Sequence, residues 1–273
     1  MLIDKNEHKK SLSDLWSRVF DDDYSFIKLI FNKEYDESIL CFAEIIDGIA
    51  VSAFYLIENQ LNFDGECFNG YYLYAAATLP EYRGKGIMSK LIRQAQEYCR
   101  EKDIAYISLV PSQGSLYNYY SALGFCEAMH RYVNGETDSS SAFTGATAID
   151  SPKQILDLRR GFKGNALNFT DKSFGYAFDC MKYSGFEFKA LADNVLLIDS
   201  DDADSFSELI SLDAEKANEF AYKISTKGKL TSPFALKKFN ENKIVPYGMI
   251  YPINQKLERN WNFTDIYMNI ALD

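Results

Sequence analysis

Residues 79–88 form the glycine-containing stretch Leu-Pro-Glu-Tyr-Arg-Gly-Lys-Gly-Ile-Met. It follows a strand-like run over 71–78 and precedes a helical pattern, so it forms the turn between a strand and a helix. Glycines let a backbone approach an anion closely, and the free N–H groups and dipole of a helix N-terminus stabilise the anion's charge. The stretch therefore predicts a binding turn for a pyrophosphate group.

The charge around this turn is reversed relative to its surroundings. Residues 1–150 carry 13 basic and 22 acidic residues, whereas four cations and one acid fall between residues 81 and 93. The cations are Arg83, Lys85, Lys90 and Arg93. A local positive patch supports an anionic ligand, although a plain strand-to-helix turn with a solvated basic face is the alternative.

Two familiar phosphate-binding motifs do not fit the turn. A dinucleotide fingerprint needs a third glycine where Ser89 stands, and a P-loop needs Ser or Thr directly after Gly-Lys, where Gly86 stands. Both classes are therefore excluded.

The elements around the turn are predicted from periodicity. Ile39–Ile46 and Ile49–Ile57 are β-rich runs joined at Asp47-Gly48, which is typical of a tight hairpin. A strand over 71–78, a helix over 87–102 and a strand over 104–110 form a βαβ unit, which predicts that its two strands are parallel. Before the hairpin, apolar spacing from Leu12 to Phe20 predicts an amphipathic helix capped by Ser11, and a second short helix follows over 26–31.

The whole stretch resembles the signature of the GNAT acetyltransferases. The resemblance covers about residues 10–133: the strand that leads into Pro-Glu-Tyr-Arg-Gly-Lys-Gly-Ile, the long helix, the parallel strand, and then Tyr120-Ser-Ala-Leu-Gly-Phe125. It implies an α/β protein with the GNAT fold, a mixed and mostly antiparallel sheet flanked by helices. It also implies acetyl-CoA as co-substrate and transfer of its acetyl group to a primary amine by direct attack.

The resemblance also implies which residues form the site. The amides of the turn bind the CoA pyrophosphate, the preceding strand holds the pantetheine arm and the thioester carbonyl, and a tyrosine protonates the departing thiolate. The implied cofactor-binding residues are Ala76, Ala77, Thr78, Arg83, Gly84, Lys85, Gly86, Ile87, Met88 and Ser89. The implied catalytic acid is Tyr120, with a role as a core aromatic as the alternative.

Some residues depart from the family pattern. Met88 stands where Gly or Ala is usual, and Gln113 and Leu116 stand where Asn and Ala are frequent, so no cofactor contact is assigned to the last two. No carboxylate lies between residues 71 and 78, where many relatives place a general base. The base is therefore unassigned, with Asp273 as a weak candidate.

The C-terminal part predicts a second unit. Ser151-Pro152 begins a helix, further strands and helices follow, and residues 151–273 contain no glycine turn of the same kind. This part is similar to the second domain of two-domain bacterial acetyltransferases of the enhanced-intracellular-survival type, and the segments 245–250 and 267–270 carry the similarity. The expected organisation is a GNAT domain over 1–135, a linker over 136–150, and a smaller α+β GNAT-like domain over 151–273.

Composition narrows the function classes further. The five cysteines are widely spaced and there are two histidines, which predicts reduced thiols and no metal site. The net charge of −10 argues against a nucleic-acid partner and is compatible with a cationic acceptor. The N-terminus lacks an apolar signal segment and no long apolar run occurs, so we expect a cytoplasmic protein without a membrane partner.

Two functions remain open at this point. The first is an N-acetyltransferase that acts on a small-molecule or peptide amine. The sequence does not identify this amine, nor does it determine the oligomeric state of the enzyme. The second is a non-catalytic acyl-CoA-binding or sensing module that kept the cofactor turn, a hypothesis favoured by the missing base. Turnover of acetyl-CoA with a panel of amines distinguishes them.

Overall fold

The computed structural model describes residues 1–136, 146–192, 195–200, 206–223, 229–239, 242–262, 264–268 and 272. All strands of the described part belong to one mixed sheet. The strands are β1 Leu2–Ile3, β2 Ile39–Ile46, β3 Ile49–Phe63, β4 Glu66–Thr78, β5 Tyr106–Leu109, β6 Cys126–Glu136, β7 Thr147–Ala148, β8 Ala166–Phe169, β9 Phe186–Ala192, β10 Val195–Ser200, β11 Phe206–Ser211, β12 Lys229–Ser232, β13 Asn242–Pro252 and β14 Ile266–Met268.

Seven α-helices pack on this sheet in the described part. They are α1 Lys9–Phe20, α2 Tyr24–Ile27, α3 Ile87–Glu101, α4 Gly114–Ser121, α5 Pro152–Arg160, α6 Phe174–Tyr183 and α7 Ala214–Ala221. Short 3-10 helices follow α2 at Lys28–Phe31 and Lys33–Ser38, and others lie at Pro80–Tyr82 and Gln255–Leu257.

The predicted elements around the glycine turn are confirmed. β2 and β3 form the antiparallel hairpin, with Asp47 and Gly48 both at positive φ in its turn. β4 and β5 are parallel and α3 connects them, as the βαβ pattern required. Ser151 caps α5 by accepting a hydrogen bond from the Gln154 amide. The mixed, mostly antiparallel sheet flanked by helices is therefore the architecture that the sequence predicts.

The predicted cap of the first helix is wrong. α1 begins at Lys9, after His8, so Ser11 lies within the first turn. The Ser11 hydroxyl instead accepts a hydrogen bond at 2.6 Å from the Ala50 amide at the start of β3. The hydroxyl therefore joins α1 to the sheet rather than satisfying the amides of its own helix.

Two of the hydrophobic clusters lie on opposite faces of the N-terminal strands. Successive residues of a strand point to opposite faces, and β2 sends Cys41 and Ala43 into the cluster that contains α1, but Phe42 into the cluster that contains α3. From α1, Leu12, Leu15 and Trp16 enter the first cluster. The two helices therefore sandwich the β2–β3–β4 sheet.

The two halves of the chain exchange strands at the centre of the sheet. The order is β1-β2-β3-β4-β5-β13-β6-β12-β11-β10-β9-β7, with β8 and β14 outside this path. β13, from the C-terminal half, lies between β5 and β6, while β6 pairs with β12. The linker over 136–150 stays a prediction, because its residues 137–145 lie outside the part of the chain that the structure describes. A chain that ended near Asp150 would lose β13 and leave both of its neighbours unpaired on that side.

The second half repeats the order of the first in reduced form. β9, β10 and β11 are antiparallel neighbours, and α7 follows β11 before the parallel strand β12. The segment before α7 contains Asp213 as a cap where the first half has Gly86. An acidic cap disfavours an anion at the start of α7.

All five cysteines are free thiols; Cys41, Cys99 and Cys180 are buried. No helix of the described part is both long and apolar enough to cross a membrane.

Candidate active site

The glycine turn leaves open space in front of the N-terminus of α3. Gly84 and Gly86 have φ values of 74° and 75°, in the left-handed region that side chains disfavour. A Cβ atom placed on either glycine would meet no heavy atom within 4 Å. Gly86 immediately precedes α3, and its carbonyl accepts the first helical hydrogen bond, from Lys90 N at 3.0 Å. An anion can therefore approach the first amides of the helix.

The cations near the turn differ in how they are held. Arg83 Nε donates to the Thr78 carbonyl at 3.0 Å, and Lys90 pairs with Glu44 at 3.3 Å. Lys85 Nζ lies 4.8 Å from the centre of the Tyr82 ring. All these cations are on the exposed surface, as is Arg93. The expected basic patch exists, but Lys90 is partly neutralised by its carboxylate partner.

A bulge interrupts β4 directly before the turn. Tyr74 pairs with Tyr55 and Ala77 pairs with Ala53, so two residues of β4 face one residue of β3. Ala75 adopts a φ of 51° within this bulge. Bulges remove residues from the ladder and re-aim the backbone, often beside active sites. Here the re-aimed segment lines a cavity.

The parallel strands β4 and β5 separate beside the bulge. Their pairing ends at Tyr72 and Ser108, although both strands continue. The separation opens a cavity of about 510 Å³. Its lining comes from 72–76 of β4, from Leu109, Val110 and Ser112, from Leu116 and Tyr120 of α4, from Trp16, Phe20, Asp22, Asp23 and Phe26, and from Tyr183, Ser184 and Leu272.

Tyr120 lies at the wall of this cavity. Its side chain is 7% exposed and packs edge-on against Tyr119 and Phe125, with ring centres 5.1 and 5.7 Å away. No described residue makes a hydrogen bond to its hydroxyl. Burial raises the pKa of Tyr120 above its ordinary value, so the phenol stays protonated well into the alkaline range. A protonated hydroxyl facing a cavity can supply a proton to a leaving group.

The family model described as the acetyltransferase (GNAT) domain matches residues 4–127. This segment is a GNAT domain. It contains the glycine turn, the bulge and Tyr120, so the resemblance that the sequence predicted is confirmed for the part that carries the site. No curated protein matches the sequence.

Solved structures share the fold over nearly the whole chain. A conserved protein of unknown function from Enterococcus faecalis V583, described as a probable N-acyltransferase, is 15% identical with a TM-score of 0.69, and the match covers 93% of this chain and 72% of that one. A GCN5-related N-acetyltransferase from Kribbella flavida is 15% identical with a TM-score of 0.66, and the match covers 93% of this chain and 72% of that one. Eis1 from Mycobacterium abscessus is 11% identical with a TM-score of 0.63, and the match covers 92% of this chain and 72% of that one. At these identities the likeness is one of fold.

The other predicted cofactor residues of the GNAT domain lie along the same path. Ala76 lines the cavity, and Ala77 is buried one residue further on. The Thr78 hydroxyl lies 2.8 Å from Ser52 Oγ, and the Ser89 hydroxyl lies 3.0 Å from that of Tyr119. The second bond connects the first turn of α3 to α4, which carries Tyr120.

Three residues of the GNAT domain that depart from the family pattern have defined positions in the structure. Met88 and Ile87 are both half-buried and pack against the cluster beneath α3. Leu116, to which the sequence gave no cofactor contact, lines the cavity. Gln113 precedes α4 without capping it through its side chain.

Sequence reasoning missed the carboxylates of the cavity. Asp22 Oδ2 accepts a hydrogen bond at 2.8 Å from the indole N–H of Trp16. Asp23 caps α2 and also accepts a hydrogen bond from the Tyr183 hydroxyl. These hydrogen bonds hold the pKa of Asp23 below its usual value, and the bond from Tyr183 has the largest effect. The run Asp21-Asp22-Asp23 after a helix is the only signal, and acidic runs are usually solvated.

The C-terminal half supplies the remaining wall of the cavity. Tyr183 and Ser184 lie at the end of α6, and the Leu272 carbonyl accepts a hydrogen bond at 3.1 Å from the Tyr72 hydroxyl. Asp273, the candidate base, lies outside the described residues. The part of the chain that the structure describes contains no group of three or more His, Cys, Asp or Glu side chains that could hold a metal ion.

Proposed function

We propose that the protein is an N-acetyltransferase that moves the acetyl group of acetyl-CoA to a primary amine by direct attack. The observation that carries the proposal is the single cavity where the β4 bulge, the separated strands and Tyr120 meet, beside a glycine turn that opens a helix N-terminus. Neither feature alone requires acyl transfer. Together they offer a phosphate site, a slot for an extended thioester arm, and a proton donor at its end.

The cofactor would enter along the separated strands. Its pyrophosphate would lie at the amides from Arg83 to Ser89, where the exposed glycines allow close approach. Its pantetheine arm would follow the backbone of 76–78 toward the bulge. Backbone groups freed from the ladder at the bulge would polarise the thioester carbonyl, in the manner of an oxyanion hole.

The chemistry then needs two proton movements. The nitrogen of the neutral amine attacks the carbonyl carbon, a C–N bond forms, and the C–S bond breaks. The departing thiolate takes the proton of Tyr120, the new amide loses a proton from nitrogen to water, and the Tyr120 phenolate regains a proton from water. Because a free alkylamine has a pKa of about 10, only the small unprotonated fraction reacts at neutral pH.

The C-terminal half is part of this proposed site. Tyr183, Ser184 and Leu272 line the cavity together with residues of β4, β5 and α4. Acceptor recognition therefore depends on both halves of the chain. We also propose a cytoplasmic location, since the free cysteines suit a reducing compartment.

The test compares binding with turnover on the full-length protein. CoA affinity is measured by calorimetry, and thiol release from acetyl-CoA is followed with spermidine, kanamycin, a lysine-containing peptide and phenethylamine. An acetyltransferase binds CoA and releases thiol with at least one amine, with the acetylated amine detected by mass. A binding module binds CoA without amine-dependent release, and a protein that does not bind CoA refutes both functions.

A further inference from the structure

We propose that the acceptor is a primary amine carried on an aromatic ring or a similarly bulky apolar group, and that Asp22 binds its ammonium. This inference rests on the proposed function and names the substrate class of the same site. It starts from the charges, the aromatic walls and the unused hydrogen-bonding groups of the cavity.

The cavity is negative. Among its described lining residues, the only charged side chains are Asp22 and Asp23. The cations of the glycine turn lie elsewhere, on the exposed surface that the pyrophosphate would occupy. An ammonium ion is therefore attracted into the cavity, whereas a carboxylate or phosphate acceptor is repelled.

The two carboxylates differ in their free capacity. Asp23 Oδ1 accepts from the amides of Ser25 and Phe26, and its Oδ2 accepts from Tyr183. Asp22 uses Oδ2 for the Trp16 indole, while its Oδ1 has no hydrogen-bond partner in the described part of the chain. Asp22 is therefore the carboxylate that can receive a new donor without losing a structural bond.

The walls around Asp22 are aromatic. The Trp16 ring lies 5.6 Å from the Tyr74 ring, and the Phe26 ring lies 5.4 Å from the Tyr183 ring, measured between centres. Phe20 is 41% exposed and Tyr183 is 47% exposed although both line the cavity. Aromatic faces attract cations and pack with rings or bulky apolar groups. They offer little to an acceptor that is covered with hydroxyls.

A second polar group of the cavity is also unused. Tyr120 is 7% exposed, and its hydroxyl has no hydrogen-bond partner among the described residues. A hydroxyl at a cavity wall without a protein partner is free to form a hydrogen bond with a bound ligand. Tyr120 belongs to α4 and Asp22 follows α1, so the two unused groups approach the cavity from different elements. A compact ammonium held at Asp22 would use both groups: it loses a proton to water, and the neutral nitrogen then attacks the acyl group beside Tyr120.

The experiment uses the full-length protein loaded with CoA, so that binding does not require turnover. Calorimetry compares phenethylamine with its neutral counterpart 2-phenylethanol, and with the polyamine spermidine. The variants are Asp22→Asn, which keeps the size and the bond to Trp16, and the control Asp21→Asn. Asp21 neighbours Asp22 but does not line the cavity, and asparagine tolerates its φ of 62°.

We expect phenethylamine to bind at least ~10-fold more tightly than 2-phenylethanol and spermidine, the effect of one charge-assisted hydrogen bond together with ring packing. Asp22→Asn should weaken phenethylamine ~10-fold and raise its KM in acetyl transfer similarly, with CoA affinity unchanged. Asp21→Asn should change neither quantity. If the protein proves not to bind CoA, the same amine and alcohol titrations are made in the absence of CoA.

Equal binding of the amine and the alcohol would overturn the inference, as would unchanged phenethylamine affinity in Asp22→Asn or a preference for spermidine. These results would leave acetyl transfer to other amines intact. Conversely, phenethylamine binding that depends on Asp22 but gives no acetylated product would uphold the ligand class and refute the acetyltransferase.

Discussion

The pairing that holds β4 and β5 together before they separate depends on a missing side chain. Gly70 is the first of the β4 residues paired with β5, opposite Tyr106. A Cβ atom on Gly70 would lie 2.3, 2.4 and 2.6 Å from three carbons of the Tyr106 ring. Tyr106 is fully buried, and its hydroxyl donates to Asn59 Oδ1 at 2.9 Å, so the ring has no free direction in which to move. We therefore expect Gly70→Ala to destabilise the fold.

The magnitude follows from two contributions. Forcing a methyl group into a packed core costs about 1–3 kcal/mol. A shift of the ring that breaks the bond to Asn59 adds about 1 kcal/mol. A total of ~2–4 kcal/mol lowers Tm by roughly 4–8 °C, at about 2 °C per kcal/mol for a chain of this size.

Thermal unfolding followed by circular dichroism measures the effect. The matched control is Gly114→Ala, because a Cβ atom on Gly114 would meet no heavy atom within 4 Å and its φ is not positive. Alanine also favours a helix over glycine, so the control should keep or slightly raise Tm. If Gly70→Ala has the same Tm as the wild-type protein, the close packing of Tyr106 on Gly70 does not stabilise the pairing of β4 with β5.

The remaining predictions concern the proposed chemistry. Gly86→Asp should weaken CoA binding at least ~10-fold in calorimetry, because it places a negative charge at the turn proposed to bind the pyrophosphate. The control Gly65→Asp, at a similar positive φ in an open hairpin turn, should leave CoA affinity unchanged. Equal loss of affinity in the two variants would contradict the assignment of the CoA site. Tyr120→Phe should lower the single-turnover rate ~100-fold, whereas Tyr117→Phe on the same helix should not, and an unchanged Tyr120→Phe rate would exclude this acid. For the wild-type enzyme, kcat/KM should rise with pH as the amine deprotonates. Since burial raises the pKa of Tyr120, deprotonation of this residue should cause no fall below about pH 10, and an earlier fall would contradict its role.

The local features of the GNAT domain could be predicted from the sequence because they depend on short-range chemistry. Gly84 and Gly86 supply backbone angles that other residues resist, and Asp47-Gly48 specifies a tight turn. The apolar face of α3 follows from a period of 3.6 residues. These signals lie within a few residues of the structure that they specify.

The errors and omissions arise where a side chain has a distant alternative. Ser11 is a good cap by sequence, yet the Ala50 amide competes for its hydroxyl across 39 positions of the chain. Leu116 departs from the family pattern but reaches the cavity because β4 and β5 separate. Their separation is a property of two strands together, so no single segment encodes it visibly.

The glycine turn and the order of strands and helices around it follow from the sequence alone, since each rests on local backbone preference or periodicity. Which side chains share the cavity depends on tertiary packing. Asp22 lines the cavity and is held there by the Trp16 indole, and Tyr183 becomes part of the wall because α6 packs beside α2. The exchange of β6 and β13 brings the two halves into one sheet. Strand exchange and cavity walls join residues far apart in the chain, and hydrophobic burial rewards any arrangement that removes apolar surface from water, so only the folded packing selects one.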